Sequence, residues 1–368
     1  MISWRQLASD RLASLPAVHW PEPAVAKTVS FEAAPSTIVF VDGFFAPELS
    51  KVPAEVICLK LDQALKSYGL FLQNRWTKTF KDEKDPFYLL NMLHHGQGLF
   101  LYIPPNVQSS LHIVHLSTGP NLASPKIQIT LGKNSHLSLT QKVQGGIVNG
   151  AIDLLLDAGS TLKFYDIELL EENANVHTSL RASLKKDARL EVFHATDGAK
   201  NVRFSAIAEL AEENSSFLFR SLAMLNGKRE AHVHALADHV APNCTSRQHV
   251  KMVLNGESKS SFEGKIYVHP KAQKTAAYQL NNNLLLSDTA LATSKPNLEI
   301  FADDVKASHG ATFSQLSEEE LFYFRSRGLS LTEAKSLLMQ AFCREHIDAL
   351  EIESLKAPLL DAMARVYA

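Results

Sequence analysis

Cysteine is scarce in this chain of 368 residues: Cys58, Cys244 and Cys343 lie far apart and form no CxxC pair. Such sparse, odd-numbered usage excludes a disulfide scaffold and fits a reducing compartment. Long apolar runs are missing as well. No stretch of about eighteen apolar residues occurs, so no membrane-spanning helix is expected. The N-terminus, MISWRQLASDRLASLP, carries Arg5, Asp10 and Arg11 and lacks the apolar centre of a signal peptide. Neither sign of charge is in excess, with 37 lysines and arginines against 39 aspartates and glutamates. A dedicated nucleic-acid binder carries a basic excess or stripe, so none is expected here. Phosphate-cradling motifs are absent, and no GxSxG elbow occurs. These absences describe a cytoplasmic protein with no nucleic-acid or membrane partner, and nothing in them announces an enzyme.

What is present is alternation. Residues 1–95 read as a mixed N-terminal region. Trp4, Leu7, Leu12 and Leu15 fit one face of a short helix ended by Pro16, and Pro21, Pro23, Pro35, Pro47 and Pro53 punctuate extended pieces. LDQALKSYG is expected as a helix closing at Gly69, and DPFYLLNMLHHG as one capped by Asp85 and ended at Gly96. From about 96 to 316, runs such as SLHIVHLS, TLKFYDIELL and RLEVFHAT alternate apolar and polar residues. Polar corners GKNS (132–135), DAGS (157–160), KKDA (185–188) and EENS (212–215) separate pairs of runs at intervals of 25 to 29 residues. NGES (255–258) is a fifth corner. This period fits a β-solenoid, in which no coil buries its inner face without its neighbours. An antiparallel sandwich is the alternative. The recurring corners lack hairpin dipeptides such as Asn-Gly except at 226–227 and 255–256, which favours the solenoid.

Residues 317–368 read as a helical domain. Ser317–Glu320 and Ser330–Glu333 are capping boxes, and Gly328 ends the first helix. Ala334, Leu337, Leu338, Ala341 and Phe342 form one apolar stripe at helical spacing. Pro358 opens a last helix. Ahead of these helices, Leu298, Ile300 and Ala302 form one face of a strand closed by Asp303 and Asp304. Lys306, Ser308 and His309 are then expected on a tight segment before Gly310.

Candidate chemistry is thin. His232 and His234 share a strand face, with His239 nearby, and alternate-residue histidines are a possible zinc or iron pair. A cupin-like metalloenzyme would be built on them, although a polar sheet face is the commoner outcome. The acidic pairs Glu171–Glu172, Glu212–Glu213 and Asp303–Asp304 raise the alternative of a carbohydrate-active solenoid enzyme. Neighbouring residues on a strand point to opposite faces, so none of these pairs alone gives opposed carboxylates. Cys244 and Cys343 read as inert packed thiols.

Residues 238 to 345 carry a more specific signal. DHVAPNCTSRQH (238–249), FEGKIYV (262–268), NNNLLLSDTALATSKPNLEIFADDVKASHGAT (281–312) and EEELFYFRSRGLS (318–330) resemble the SufB/SufD family of iron–sulfur cluster assembly scaffold proteins, on its SufD side. The resemblance implies a right-handed parallel β-helix between an N-terminal helical region and a C-terminal helical domain, and a non-enzymatic role. It implies partnership with the paralogue SufB and the ATPase SufC, with a homodimer where these are missing. Asp303, Asp304, Lys306, Ser308 and His309 would lie at the SufB contact, with His309 the candidate iron ligand. Leu337, Leu338, Ala341 and Phe342 would dock SufC. No stably bound cofactor is implied, and an iron–sulfur cluster would reside only transiently at the SufB interface. Ala307 departs from the D-D-V-K-C-S-H-G pattern, so the thiolates would have to come from SufB.

Overall fold

Alternating runs must hide one face, and each run hides it by stacking on the next. In the computed structural model, which describes residues 4–15, 34–119 and 121–366, these runs form strands. They pair in parallel with the strands one coil before and one coil after. Two ten-stranded sheets result. The front sheet runs from Phe44–Phe45 and Thr37–Val41 to Val305–Ser314, and the back sheet from Ile57–Lys60 to Leu291–Ile300. The chain changes sheet at every corner, which makes a parallel β-solenoid and removes the sandwich alternative. Antiparallel ladders, among the described residues, occur only at its start.

Register turns this arrangement into a core. Asn175–Leu184 pairs residue for residue with both Ile147–Leu156 and Asn201–Leu210. Inward side chains of successive coils therefore lie directly over one another. Phe164, Phe204, Phe217, Phe219 and Phe262 fill the interior with leucines, valines and isoleucines, all buried. Each large apolar side chain withdrawn in this way contributes about 1.5–3 kcal/mol.

One row of corners repeats a single backbone device. Asn106, Asn134, Gly159, Asp187, Asn214, Asn243 and Lys274 all take the left-handed conformation, with φ between 55° and 69°. Each donates its N–H to a carbonyl in the corner of the next coil, at 2.6–3.2 Å. Asparagine and glycine tolerate this region, and a long aliphatic side chain does so poorly. The next residue inward adds a second ladder. Ser135, Ser160, Ser215 and Thr275 return hydroxyl bonds to carbonyls of their own corners. Cys244 occupies the same place with its thiol, so its role is structural. The four evenly spaced corners seen in the sequence belong to this row, whereas 255–258 belongs to the opposite edge of the solenoid.

Helices cover the outer faces in two different ways. Helices α1 (Trp4–Ala13), α2 (Leu61–Asp82) and α3 (Pro86–His94) lie on the back sheet. Trp76, Tyr88, Leu89 and Met92 pack there against Phe100 and Ala151. Buried charge fixes them. Lys126 meets Asp153 at 2.7 Å, and Trp76 Nε1 and the Tyr88 hydroxyl also donate to that carboxylate. Between α2 and α3, Arg181 bonds both Glu83 and Asp85. Burial alone would raise the Asp85 pKa, but Arg203 and Arg181 overcome it and hold the carboxyl well below the usual range. At the other end come α4 (Glu318–Ser326), α5 (Leu331–Asp348) and α6 (Lys356–Ala364). Met339, Cys343, Ile347, Leu359 and Met363 of α5 and α6 seal the front sheet over Tyr165, Ile167, Phe193, Leu222 and Met224.

Four local expectations change. Gly69 does not end a helix, because α2 continues to Asp82. Lys306, Ser308 and His309 lie within the ten-residue strand Val305–Ser314, not on a tight segment. The full capping box forms at Ser330–Glu333, whereas Ser317 makes only the forward bond to the Glu320 amide. The stripe on α5 also shifts: Ala334, Met339, Cys343, His346 and Ile347 are buried, while Leu337 and Ala341 face out. Met339, Cys343 and Ile347 are the residues of this helix that pack into the front-sheet cluster. The segment around Pro21 and Pro23 lies outside the described residues.

Two predictions follow from these ladders and locks. Lys126→Met leaves Asp153 buried without its cation and should cost about 3–5 kcal/mol in urea unfolding. Lys274→Asn relieves the only lysine in the left-handed corner row and should raise stability by about 0.5–1 kcal/mol in the same assay.

Candidate functional site at the open end of the solenoid

A solenoid whose coils satisfy one another ends in a coil that nothing satisfies. Among the described residues, Leu291–Ile300 pairs only with Lys259–Val268, and Val305–Ser314 only with Thr275–Leu285. Each last strand therefore has an unpaired edge of backbone donors and acceptors, a template for another strand. Pro296, in the middle of Leu291–Ile300, suits such an edge, because proline cannot donate to a second ladder.

The interior changes character on the way to this end. Upstream it is mainly phenylalanine and aliphatic, with a polar group at Gln141, Asp166, Glu168 and His194, but the inward row of Thr275–Leu285 reads Thr275, Ala277, Gln279, Asn281 and Asn283, all buried. Gln279 Nε2 donates to Gln248 Oε1 at 2.6 Å, and Gln248 Nε2 donates to the Lys265 carbonyl at 3.2 Å. Asn283 Nδ2 donates to Asn281 Oδ1 at 2.8 Å and to the Thr312 carbonyl at 3.0 Å. Gly264 makes room for this network: a Cβ there would lie 2.2 Å from Gln279 Nε2 and 2.5 Å from the Phe262 ring.

His309 is in register with Gln279 and continues its inward row. Val305, Ala307, Ala311 and Phe313 share that face, which looks over the mouth of the last coil. The imidazole is exposed and has no hydrogen-bond partner among the described residues. Lys306 and Ser308 project from the opposite, outer face. Asp303 and Asp304 form the exposed corner before the strand, where Asp304 accepts from Lys274 through its carbonyl. The five residues expected together are thus split between the mouth, the outer face and the corner. Phe301 and Phe313, each more than half exposed, add an apolar margin around His309.

Thiolate chemistry is not offered here. Ala307 occupies the inward position next to His309, and the three cysteines lie elsewhere. Burial pushes the Cys58 thiol up to about 11 and the Cys343 thiol up to about 12. Burial raises Cys244 as well.

The C-terminal helices adjoin this end. In α4 only Leu321 is buried, and Phe322 and Tyr323 stand exposed. Leu337 and Ala341 are exposed on α5, Leu338 is half-buried, and Phe342 packs partly onto the front-sheet cluster. Lys251 binds α5 to the sheet, donating to the Phe342 carbonyl at 2.9 Å and meeting Glu345 at 2.6 Å.

His232 and His234 do share the outer face of the back sheet, beside a groove of about 1050 Å³. They bond Ser261 and Ser205, and no third ligand joins them among the described residues. Burial holds His234 down to about 4. His239 points the other way, to Ser246. The acidic pairs at 171–172, 212–213 and 303–304 all sit exposed at corners. The inward amides Gln248, Gln279, Asn281 and Asn283 escaped sequence reasoning. Their signal was the polar residues at every second place in YQLNNNLL.

A family model described as SUF system FeS cluster assembly, SufBD core domain, matches residues 114–342. The match takes in nearly all of the solenoid and reaches into α5, well upstream of the motifs at 238–345. An iron–sulfur cluster assembly SufBD family protein of Synechocystis is 30% identical over 350 residues, covering 89% of this chain and 77% of the relative. The iron–sulfur cluster assembly protein SufD of Escherichia coli is 27% identical over 349 residues, covering 86% and 82%. A chloroplastic protein of Arabidopsis thaliana is 27% identical over 289 residues, covering 73% and 60%.

The raised thiols and the crowded Gly264 each give a test. At pH 8 Cys58 and Cys343 should react with iodoacetamide at least about a hundredfold more slowly in the native protein than in the unfolded chain, because burial holds both thiols protonated. Gly264→Ala should destabilise by about 1–3 kcal/mol in urea titration, and the combination with Gln279→Ala should recover much of the loss.

Proposed function

The chain belongs to the SufBD family of iron–sulfur cluster assembly proteins, and on that premise we propose that it is a non-catalytic scaffold subunit of the SUF system. Its open end pairs with a SufB-like paralogue, and its C-terminal helices dock a SufC-type ATPase. The observation that carries this reading is the pair of unpaired strand edges around a polar mouth, with His309 exposed on the inward row. A paralogue built from the same coils can continue both sheets and cover the amide network, which a small ligand cannot do. The likeness to the SufD of Escherichia coli along most of both chains supports the same placement.

At the mouth, His309 would contribute nitrogen ligation to iron or to a nascent cluster, and the partner's side of the seam would supply the soft thiolates that Ala307 does not. A cluster there is cargo and is held only transiently. Docking of the ATPase would use the outward residues Leu337 and Ala341, with Phe322 and Tyr323 of α4 beside them. Leu338 and Phe342 would then fix the helix on the sheet more than they meet the partner. The three free thiols fit work in a reducing compartment such as the cytoplasm. In the absence of partners, two copies could join open end to open end.

Removing α5 and α6 would strip the front sheet of its cover, so outward point substitutions test docking more cleanly than truncation. Leu337→Asp should weaken association with the ATPase about tenfold or more in a binding titration while leaving the melting temperature unchanged. His309→Ala should retain the fold and the partner chains but lower cluster formation on the reconstituted complex. Unaltered cluster loading by that variant would falsify the ligand role.

A further inference from the structure

Deep inside the middle coils, negative charge is buried without a cation beside it. Asp166 and Glu168 lie on Thr161–Leu169, and His194 lies in register with Asp166 on Arg189–Gly198. All three are fully buried. Their neighbours Leu162 and Phe164 belong to the interior cluster, and Tyr165 and Ile167 to the outer one, so both carboxylates face inward. One ligand atom from each of the three side chains lies within 4.8 Å of the others. His194 Nδ1 is 3.1 Å from Asp166 Oδ2, and Gln141 Nε2 donates to Asp166 Oδ1 at 3.0 Å. Thr178 Oγ1 donates to Glu168 Oε1 at 3.1 Å. Among the described residues, no donor group reaches Glu168 Oε2 and His194 Nε2 has no partner.

Two ionised carboxylates cannot rest in such an interior uncompensated, since burying even one unpaired costs several kcal/mol or more. Burial, together with a hydrogen bond that the two carboxyls share, pushes the Glu168 pKa well up. A glutamine, a threonine and the imidazole also bond them, and no lysine or arginine does so among the described residues. Balance requires two positive charges, which means two protons or one divalent cation. A proton shared between the carboxyls neutralises one charge and leaves the imidazole Nε2 unused, whereas a divalent cation bridges both carboxylates and draws on the imidazole as well. Carboxylate oxygens with one imidazole nitrogen suit zinc, manganese or ferrous iron.

We propose that Asp166, Glu168 and His194 bind one divalent first-row metal ion inside the solenoid, clipping two successive coils of the front sheet together. The site is separate from the mouth and does not depend on the scaffold role. It is walled by the core, with the His194 ring stacked on Phe204 at 4.4 Å. The ion therefore enters as the coils close, and metal binding is coupled to folding.

The test uses the full chain, unfolded in guanidinium with chelator and refolded with zinc, with cobalt(II), or in chelator. Refolding with metal should give about one ion per chain that resists later chelation, a cobalt d–d spectrum of nitrogen and oxygen ligands, and a higher melting temperature than refolding in chelator. Glu168→Gln and His194→Gln are close in shape and should refold without retained metal, whereas His249→Ala should keep it. That last variant disrupts the other three-ligand group of the described residues, His249, Glu345 and His346. Metal-free wild-type protein after refolding with each ion, with one melting temperature under all conditions, overturns the proposal and leaves the charge to protons. Loss of metal with His249→Ala but not with Glu168→Gln overturns it equally. If the variants fail to refold, the wild-type metal content and melting temperatures still decide.

Discussion

Everything in this molecule depends on the rule that each coil's inward row must be covered by the row of the next coil. Parallel pairing in constant register stacks those rows, and the left-handed corner residues pass a hydrogen bond from coil to coil at the same place. The arrangement is additive and has no natural closure. One end is closed by antiparallel strands and helices. The other is left open, and there the interior changes from phenylalanine to glutamine and asparagine. An amide row beneath the open end tolerates water better than a fully apolar one would.

The outer faces show that the two helical ends have different tasks. On the back sheet the N-terminal helices are held by fully enclosed charge, Lys126 with Asp153 and Arg181 with Glu83 and Asp85. Pairs of this kind add little stability over an apolar filling, yet they punish any displacement, so they fix where the helices sit. On the front sheet α5 and α6 seal an apolar strip, leaving Leu337, Ala341 and α4 outward. A broad apolar contact of this kind carries no single interaction whose loss releases the whole, unlike an anchor made of a few charges.

Much of this was legible in the chain itself. The period of the polar corners gave two strands per coil, and the scarcity of hairpin dipeptides at those corners favoured the solenoid. Asp85, Ser317, Ser330 and Gly328 marked helix ends close to where they lie. The motifs at 238–345 gave the family. The candidate site was less legible: Asp303, Asp304, Lys306, Ser308 and His309 are contiguous in sequence, and only a strand assignment for 305–314 separates them onto different faces. The polar interior showed only in the alternate amides of YQLNNNLL, and the buried pairs and the Asp166–Glu168–His194 group were not legible at all.

The sequence by itself determined the alternation, the corner residues able to take a left-handed backbone, and the scarcity of thiols, because each is a property of single residues or near neighbours. Tertiary structure alone decided which residues meet across coils. Gln279 reaches Gln248 over 31 positions, and Lys126 reaches Asp153 over 27. Such contacts depend on register between strands, and a shift of one residue would reverse every side chain. The face of α5 that turns outward was decided in the same way, by volumes packed against a sheet that lies elsewhere in the chain.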